Sequence, residues 1–143
     1  AIDEGIKMSE EKFYTGSCLC GAIRYEIHGE IGEVIQCHCK RCRKANGTAF
    51  ATNAPIKKAD FKIVQGEHLL KKFASTPTTA RCFCSECASP IISIKAETPD
   101  TYRLRIGTLD TPLEHKPVMH IFTAYKAEWD TICDGLPQYD ERP

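Results

Sequence analysis

A chain of 143 residues is most simply one domain with room for a real hydrophobic core, and an apolar share of 42% excludes a disordered chain. Nineteen basic residues cancel nineteen acidic ones, so the basic excess of a general nucleic-acid binder is missing. No apolar run is long enough to span a membrane, and none near the N-terminus has the form of a secretion signal.

Residues 1–14 are expected to be an N-terminal extension: Ala1 to Glu11 is polar and unpatterned, and Met8 is read as a natural start preceded by seven residues left by cloning. Gly16 and Gly21 then bracket Cys18-Leu-Cys20, where they let the backbone turn tightly. Ile23, Tyr25 and Ile27 alternate with Arg24 and Glu26, which predicts a half-buried strand over 22–28. Val34 and Ile35 lead a short strand into Cys37, and Lys40 to Ala45 predicts a helical turn that Gly47 ends. Further strands are expected at 49–53, 61–65 and 69–73, with Gly66-Glu67 closing a hairpin between the last two. Residues 79–83 run into a cysteine cluster and 90–95 leave it. Tyr102, Leu104 and Ile106 alternate with Arg103 and Arg105, and 118–122 is the last strand. No long stretch has helical periodicity, so the fold class is mainly β, in a single domain.

Eight of the nine cysteines fall in three clusters, Cys18-x-Cys20, Cys37-x-Cys39-x-x-Cys42 and Cys82-x-Cys84-x-x-Cys87, and only Cys133 stands alone. Eight thiols suffice for two four-coordinate sites, and zinc favours tetrahedral thiolate sets with this spacing, so the chain is expected to carry two zinc ions. A disulfide framework fits less well. The count is odd, the density is below that of disulfide-stapled mini-proteins, and paired thiols one residue apart are poorly placed to bridge each other. A reducing cytoplasm is the expected setting.

The order of these motifs resembles the glutathione-dependent formaldehyde-activating enzyme family, whose domain centromere protein V shares. The resemblance rests on Gly16-Ser-Cys18-Leu-Cys20-Gly21, on Cys37-His-Cys39-Lys-Arg-Cys42-Arg-Lys-Ala-Asn-Gly47 and on Phe83-Cys84-Ser-Glu-Cys87. Gly107-Thr-Leu-Asp110, His120-Ile121, Trp129 and Asp134-Gly-Leu-Pro137 extend it, so that it covers about 15–143. It implies a zinc-bearing β-tent of several short, coiled antiparallel sheets, similar to a Rab guanine-nucleotide exchange factor. It also implies a structural zinc on Cys18, Cys20, Cys84 and Cys87 and a second, catalytic zinc on Cys37, Cys39 and Cys42. The implied chemistry joins formaldehyde to glutathione, a carbon–sulfur lyase reaction in reverse. Ala88 departs from the pattern, which has glycine after the last cysteine, and Cys82 is an additional thiol.

Three protein thiolates leave one position for a substrate thiol or water, whereas a fourth protein ligand would close the site and favour a non-enzymatic, zinc-stabilised binding module. Cys82 is expected to stay out of that site. Lys40, Arg41, Arg43 and Lys44 read either as charge balance on solvated surface or as an attractive patch for an anionic thiol. His38 is expected to point away from its neighbouring ligands, and His120 to be a packed histidine. Trp129 reads as core or rim packing, with an aromatic wall for a substrate as the alternative, and Cys133 as a small buried hydrophobe. The leading expectation is therefore a zinc-dependent lyase acting on a thiol–aldehyde adduct, with glutathione and an aldehyde as partners and neither nucleic acid nor membrane.

Overall fold

The computed structural model describes residues 12–143, so most of the expected N-terminal extension lies outside the described residues. The chain is mainly β, as its short alternating runs indicate. In order the strands are β1 (Tyr14–Ser17), β2 (Arg24–Ile27), β3 (Ile35–Cys37), β4 (Ala51–Lys57), β5 (Phe61–Gln65), β6 (Leu70–Thr76), β7 (Thr79–Cys84), β8 (Pro90–Lys95), β9 (Thr101–Arg105) and β10 (Met119–Ile121). The helix α1 (Lys40–Asn46) lies between β3 and β4.

Two sheets form. One has the order β1-β2-β5, and the other the order β10-β3-β4-β9-β8-β7-β6. All pairings between these strands are antiparallel except β10 on β3, and a further isolated parallel bridge joins His120 to Gln138. The core includes Ile23, Tyr25 and Ile27 from the small sheet region and Ala54, Ile56, Ile91 and Leu104 from the large sheet. Each such isoleucine or leucine contributes about 1.5–3 kcal/mol by leaving water. A smaller cluster packs Cys42 of α1 against Cys37, Ala51 and Ile121.

Three local differences from the expected pattern have physical causes. Strand β1 was not expected, because it is only four residues long and Gly16 interrupts it; its place is fixed by pairing, with Tyr14 opposite Ile27 and Gly16 opposite Tyr25. Strand β4 runs through Pro55, past the expected end at Asn53. Pairing with β3 stops at Asn53, so the missing N–H of Pro55 interrupts no ladder on that side.

Gly66 does not close a hairpin, since β5 belongs to the small sheet and β6 to the large one. It is the point where the chain crosses between sheets. Its φ is +77°, and a Cβ there would come within 2.2 Å of the Ala22 carbonyl oxygen. Gly66→Ala is expected to cost about 3 kcal/mol or more, from left-handed strain plus a backbone clash. A matching fall in the urea unfolding midpoint checks this.

Candidate metal centres and the cavity beside them

The turn after β1 and the turn after β7 meet. Cys18 and Cys20 come from the first, Cys84 and Cys87 from the second, and their four Sγ atoms all lie within 4.8 Å of one another. Gly21, at φ +77°, closes the first turn by donating to the Cys18 carbonyl. In the second, the Ala88 N–H donates to the Cys84 carbonyl at 2.8 Å, and Ala88 sits at φ +65°. That is the left-handed region where glycine carries no Cβ penalty, which explains the residue type the resemblance leads one to expect there.

Backbone N–H groups point at the sulfurs: Ile23 at Cys18, Cys20 at Cys87 and Glu86 at Cys84, at 3.3, 3.4 and 3.4 Å. Such donors favour thiolate over thiol. The Ser89 hydroxyl, aided by the Cys20 N–H, holds Cys87 down at about 5. Sulfur separations of 3.6 Å (Cys18–Cys20) and 3.9 Å (Cys20–Cys84) bracket the ~3.8 Å edge of a tetrahedron with metal–sulfur bonds of about 2.3 Å. The donor set therefore fits a four-thiolate metal site.

The second group is local. Cys37 ends β3, Cys39 is the N-cap of α1, and Cys42 lies in the helix; their Sγ atoms also fall within 4.8 Å of one another. The Cys39 sulfur accepts from the Cys42 N–H at 3.3 Å, so the helix start depends on a side chain that could also hold a metal. Gly47, at φ +68°, caps the other end. Sharing hydrogen bonds with Cys37 and Cys42 holds Cys39 down at about 2, while Cys39 and Cys42 in turn push Cys37 far above the ordinary thiol range. No fourth Cys, His, Asp or Glu atom joins this group among the described residues. These three thiols also fit a metal, with a position left over.

They line a cavity of about 160 Å³. Its other walls carry Arg41, Arg81, Lys95, Arg103, Arg105 and Arg142, with no Asp or Glu among the lining residues. Arg81 comes from β7, Lys95 from β8, Arg103 and Arg105 from β9, and Arg142 from the C-terminal tail. Arg81 reaches the Cys42 sulfur at 3.9 Å, and Arg105 donates to Ser93 at 3.3 Å while only 5% exposed. Burial draws Arg105 downward, and the nearby Cys42 draws it back.

This basic wall was not legible in the residues around Cys42. Of Lys40, Arg41, Arg43 and Lys44, only Arg41 lines the cavity, while Lys40 and Lys44 border a neighbouring cleft with Phe122 and Tyr125. The one available signal was the Arg103/Arg105 alternation in β9, which puts both side chains on the face opposite Leu104.

Cys82 belongs to neither thiol group. It is 1% exposed in β7, opposite Lys72 and Ile92, and borders a separate cavity of about 370 Å³ with Phe73, Phe83 and Pro90. His38 turns away from the sulfurs. Its Nε2 lies 2.9 Å from Nδ1 of His120, whose Nε2 lies 2.8 Å from the Asp134 carboxylate. The carboxylate can only accept, so His120 donates to it, accepts from His38, and fixes the tautomer of both rings. His38 is fully buried and packs against Phe50.

Two expectations are corrected. Trp129 is 68% exposed, and Cys133 is exposed as well. Both lie in irregular chain beyond β10, where no strand partner covers them. All nine cysteines are free thiols.

The sequence profile of the glutathione-dependent formaldehyde-activating enzyme family matches residues 13–125. A candidate glutathione-dependent formaldehyde-activating enzyme of Halomonas elongata is 31% identical over 125 residues, covering 82% of this chain and 79% of the relative. An uncharacterized lyase of Schizosaccharomyces pombe is 30% identical over 78 residues, 54% of this chain and 55% of its own. A crystal structure of a Rhodobacter sphaeroides protein superposes with a TM-score of 0.59 at 23% identity, covering 70% of this chain and 91% of that one. That likeness concerns the fold alone. The profile and the long Halomonas match, together with the order of the cysteine clusters, establish that this chain belongs to the glutathione-dependent formaldehyde-activating enzyme family.

Proposed function

We propose that the chain is a zinc-dependent carbon–sulfur enzyme that joins a thiol of the glutathione type to formaldehyde or a similar aldehyde, and in reverse splits the adduct. The observation that carries this reading is a three-thiol cluster, with no fourth Cys, His, Asp or Glu atom joining it among the described residues, lining a cavity. In this reading Cys18, Cys20, Cys84 and Cys87 hold a structural zinc, and Cys37, Cys39 and Cys42 hold the second, within a domain spanning 15–143. Membership of the family supports the substrate pair. No helix among the described residues is long and apolar enough to cross a membrane, and free thiols suit a reducing compartment, so we read the setting as cytoplasmic.

When bound, a zinc ion at the three-thiol cluster supplies the positive charge that keeps a substrate sulfur ionised at neutral pH. Everything else falls to the chain. Cys37, Cys39 and Cys42 line the same cavity as Arg81 and Arg105, so a thiol entering there meets both sulfurs and guanidiniums. The substrate thiolate adds to the aldehyde carbon and the carbon–sulfur bond forms. The carbonyl π pair moves to oxygen, which takes up the proton that the thiol gave up. Arg81 and Arg105 supply fixed positive charge in the cavity where that oxygen becomes an alkoxide.

The test measures metal and turnover on one preparation made without chelator. Elemental analysis is expected to find two zinc ions per chain. Carbon-13 NMR of labelled formaldehyde with glutathione is expected to show exchange between free and adduct carbon well above the spontaneous rate. Iron–sulfur absorbance would overturn the zinc assignment, and an exchange rate no faster than buffer across several thiols would overturn the enzyme reading.

A further inference from the structure

The cavity beside Cys37, Cys39 and Cys42 has more positive charge than one thiol centre can use. A fully loaded three-thiolate zinc unit is formally −1. Against it stand the six lining cations, with Arg81 and Arg105 nearest the sulfurs. Besides Arg41 on α1, that leaves Lys95, Arg103 and Arg142 as a second tier without a matching carboxylate in the lining.

These three feel one another. Burial first, then Arg142 and Arg103, depress Lys95; burial and then Arg142 depress Arg103. Glu97 is the acid within range of both, and it does not line the cavity. Buried donors also point nowhere within the protein. Nε and Nη1 of Arg81, Nη1 of Arg103 and Nε of Arg105 make no hydrogen bond to any described group. A buried guanidinium with idle N–H groups costs stability, and an oxyanion with several acceptor lone pairs repays it by taking paired N–H donors. For a ligand ammonium the lining offers no carboxylate: apart from the sulfurs, its side-chain acceptors are the neutral oxygens of Asn53, Ser75, Thr76, Thr79 and Ser93, of which Asn53 Oδ1 is without a partner among the described residues.

From this we infer that the thiol handled here is a compact polyanion, bearing two acidic groups and no ammonium. This rests on the reading of Cys37, Cys39 and Cys42 as a thiol-binding centre, and it goes past the glutathione of the family name. Glutathione brings two carboxylates but also an ammonium, which the six cations repel. A carboxylate placed among these cations gains attraction and an ammonium meets repulsion, and salt screens both. Removing the ammonium, or adding a second carboxylate, is therefore expected to change affinity by about tenfold or more.

The test uses the full chain loaded with cobalt(II) in place of zinc, whose visible bands shift when a new sulfur joins the metal. Mercaptosuccinate, mercaptopropionate and cysteamine carry two, one and no carboxylates. N-acetylglutathione differs from glutathione by loss of the ammonium. The expected order is mercaptosuccinate tighter than mercaptopropionate by about tenfold, cysteamine weakest, and N-acetylglutathione tighter than glutathione, with the gaps shrinking as salt rises. In an Arg103→Gln, Arg142→Gln double variant the first gap is expected to close while the metal count stays at two. An Arg142→Gln single variant, changed only in the exposed tail, narrows it in part and guards against misfolding of the double one. Thiols that bind with no charge preference overturn this inference and leave the thiol centre standing. If no thiol moves the cobalt bands, both readings fall.

Discussion

Cys84→Ala is expected to leave the chain without a cooperative thermal transition. Cys84 is fully buried at the end of β7, and its sulfur lies 3.9 Å from that of Cys20, 64 residues away. The four-thiol group joins the β1–β2 turn of the small sheet to the β7–β8 turn of the large one. A structural zinc in such a site supplies about 10–16 kcal/mol of apparent binding energy to the fold. That is as large as the whole stability of an ordinary domain, about 5–15 kcal/mol. Near-UV circular dichroism and a thermal melt of the purified variant measure the outcome. A variant that melts like the parent would show that sheet docking does not depend on the site.

Cys42→Ala is expected to do the opposite, removing chemistry and sparing the fold. Cys42 is the buried residue of α1, packed beside Ala51 and Ile121, so truncation costs packing of about 1–3 kcal/mol and a modest fall in melting temperature. Two thiols from Cys37 and Cys39 hold a metal far less firmly than three, so one zinc is lost and one kept. Adduct exchange by NMR should fall to the spontaneous rate. Equal melting losses in Cys84→Ala and Cys42→Ala would mean that both groups are structural and that the cavity is not a reaction site.

What the residues revealed without the structure was local. The cysteine spacing grouped the thiols, because a metal site can draw its ligands from a few neighbouring positions on tight turns. Alternation found β8 and β9, where one face meets the core and the other the cavity. Gly66 was recognised as a turn but not as a crossover, because a positive φ says nothing about which strand the next segment will join. The basic wall was hidden for the same reason. Lys95, Arg103 and Arg142 share a cavity only because β8 and β9 are neighbours and the tail returns alongside β10, where Tyr139 donates to the His120 carbonyl and Phe122 to that of Glu141. Asp134 went unnoticed as the end of the His38–His120 chain because nothing in an isolated Asp-Gly-Leu-Pro indicates a buried imidazole nearby.

The two thiol groups differ in how they are distributed along the chain, and that sets an order of assembly. Cys37, Cys39 and Cys42 span six consecutive residues, so they can gather around an ion while the rest of the polypeptide is still unfolded. A metal captured there would also seed α1, whose first turn is capped by the Cys39 sulfur and has no acidic residue to help it form. The other group must first bring distant segments together, a loop closure that costs entropy before any bond to metal offsets it. If both groups hold zinc as proposed, newly made chains load the three-thiol group early and the four-thiol group between the sheets last. Under metal starvation the shortage then falls on folding yield before it falls on the three-thiol group.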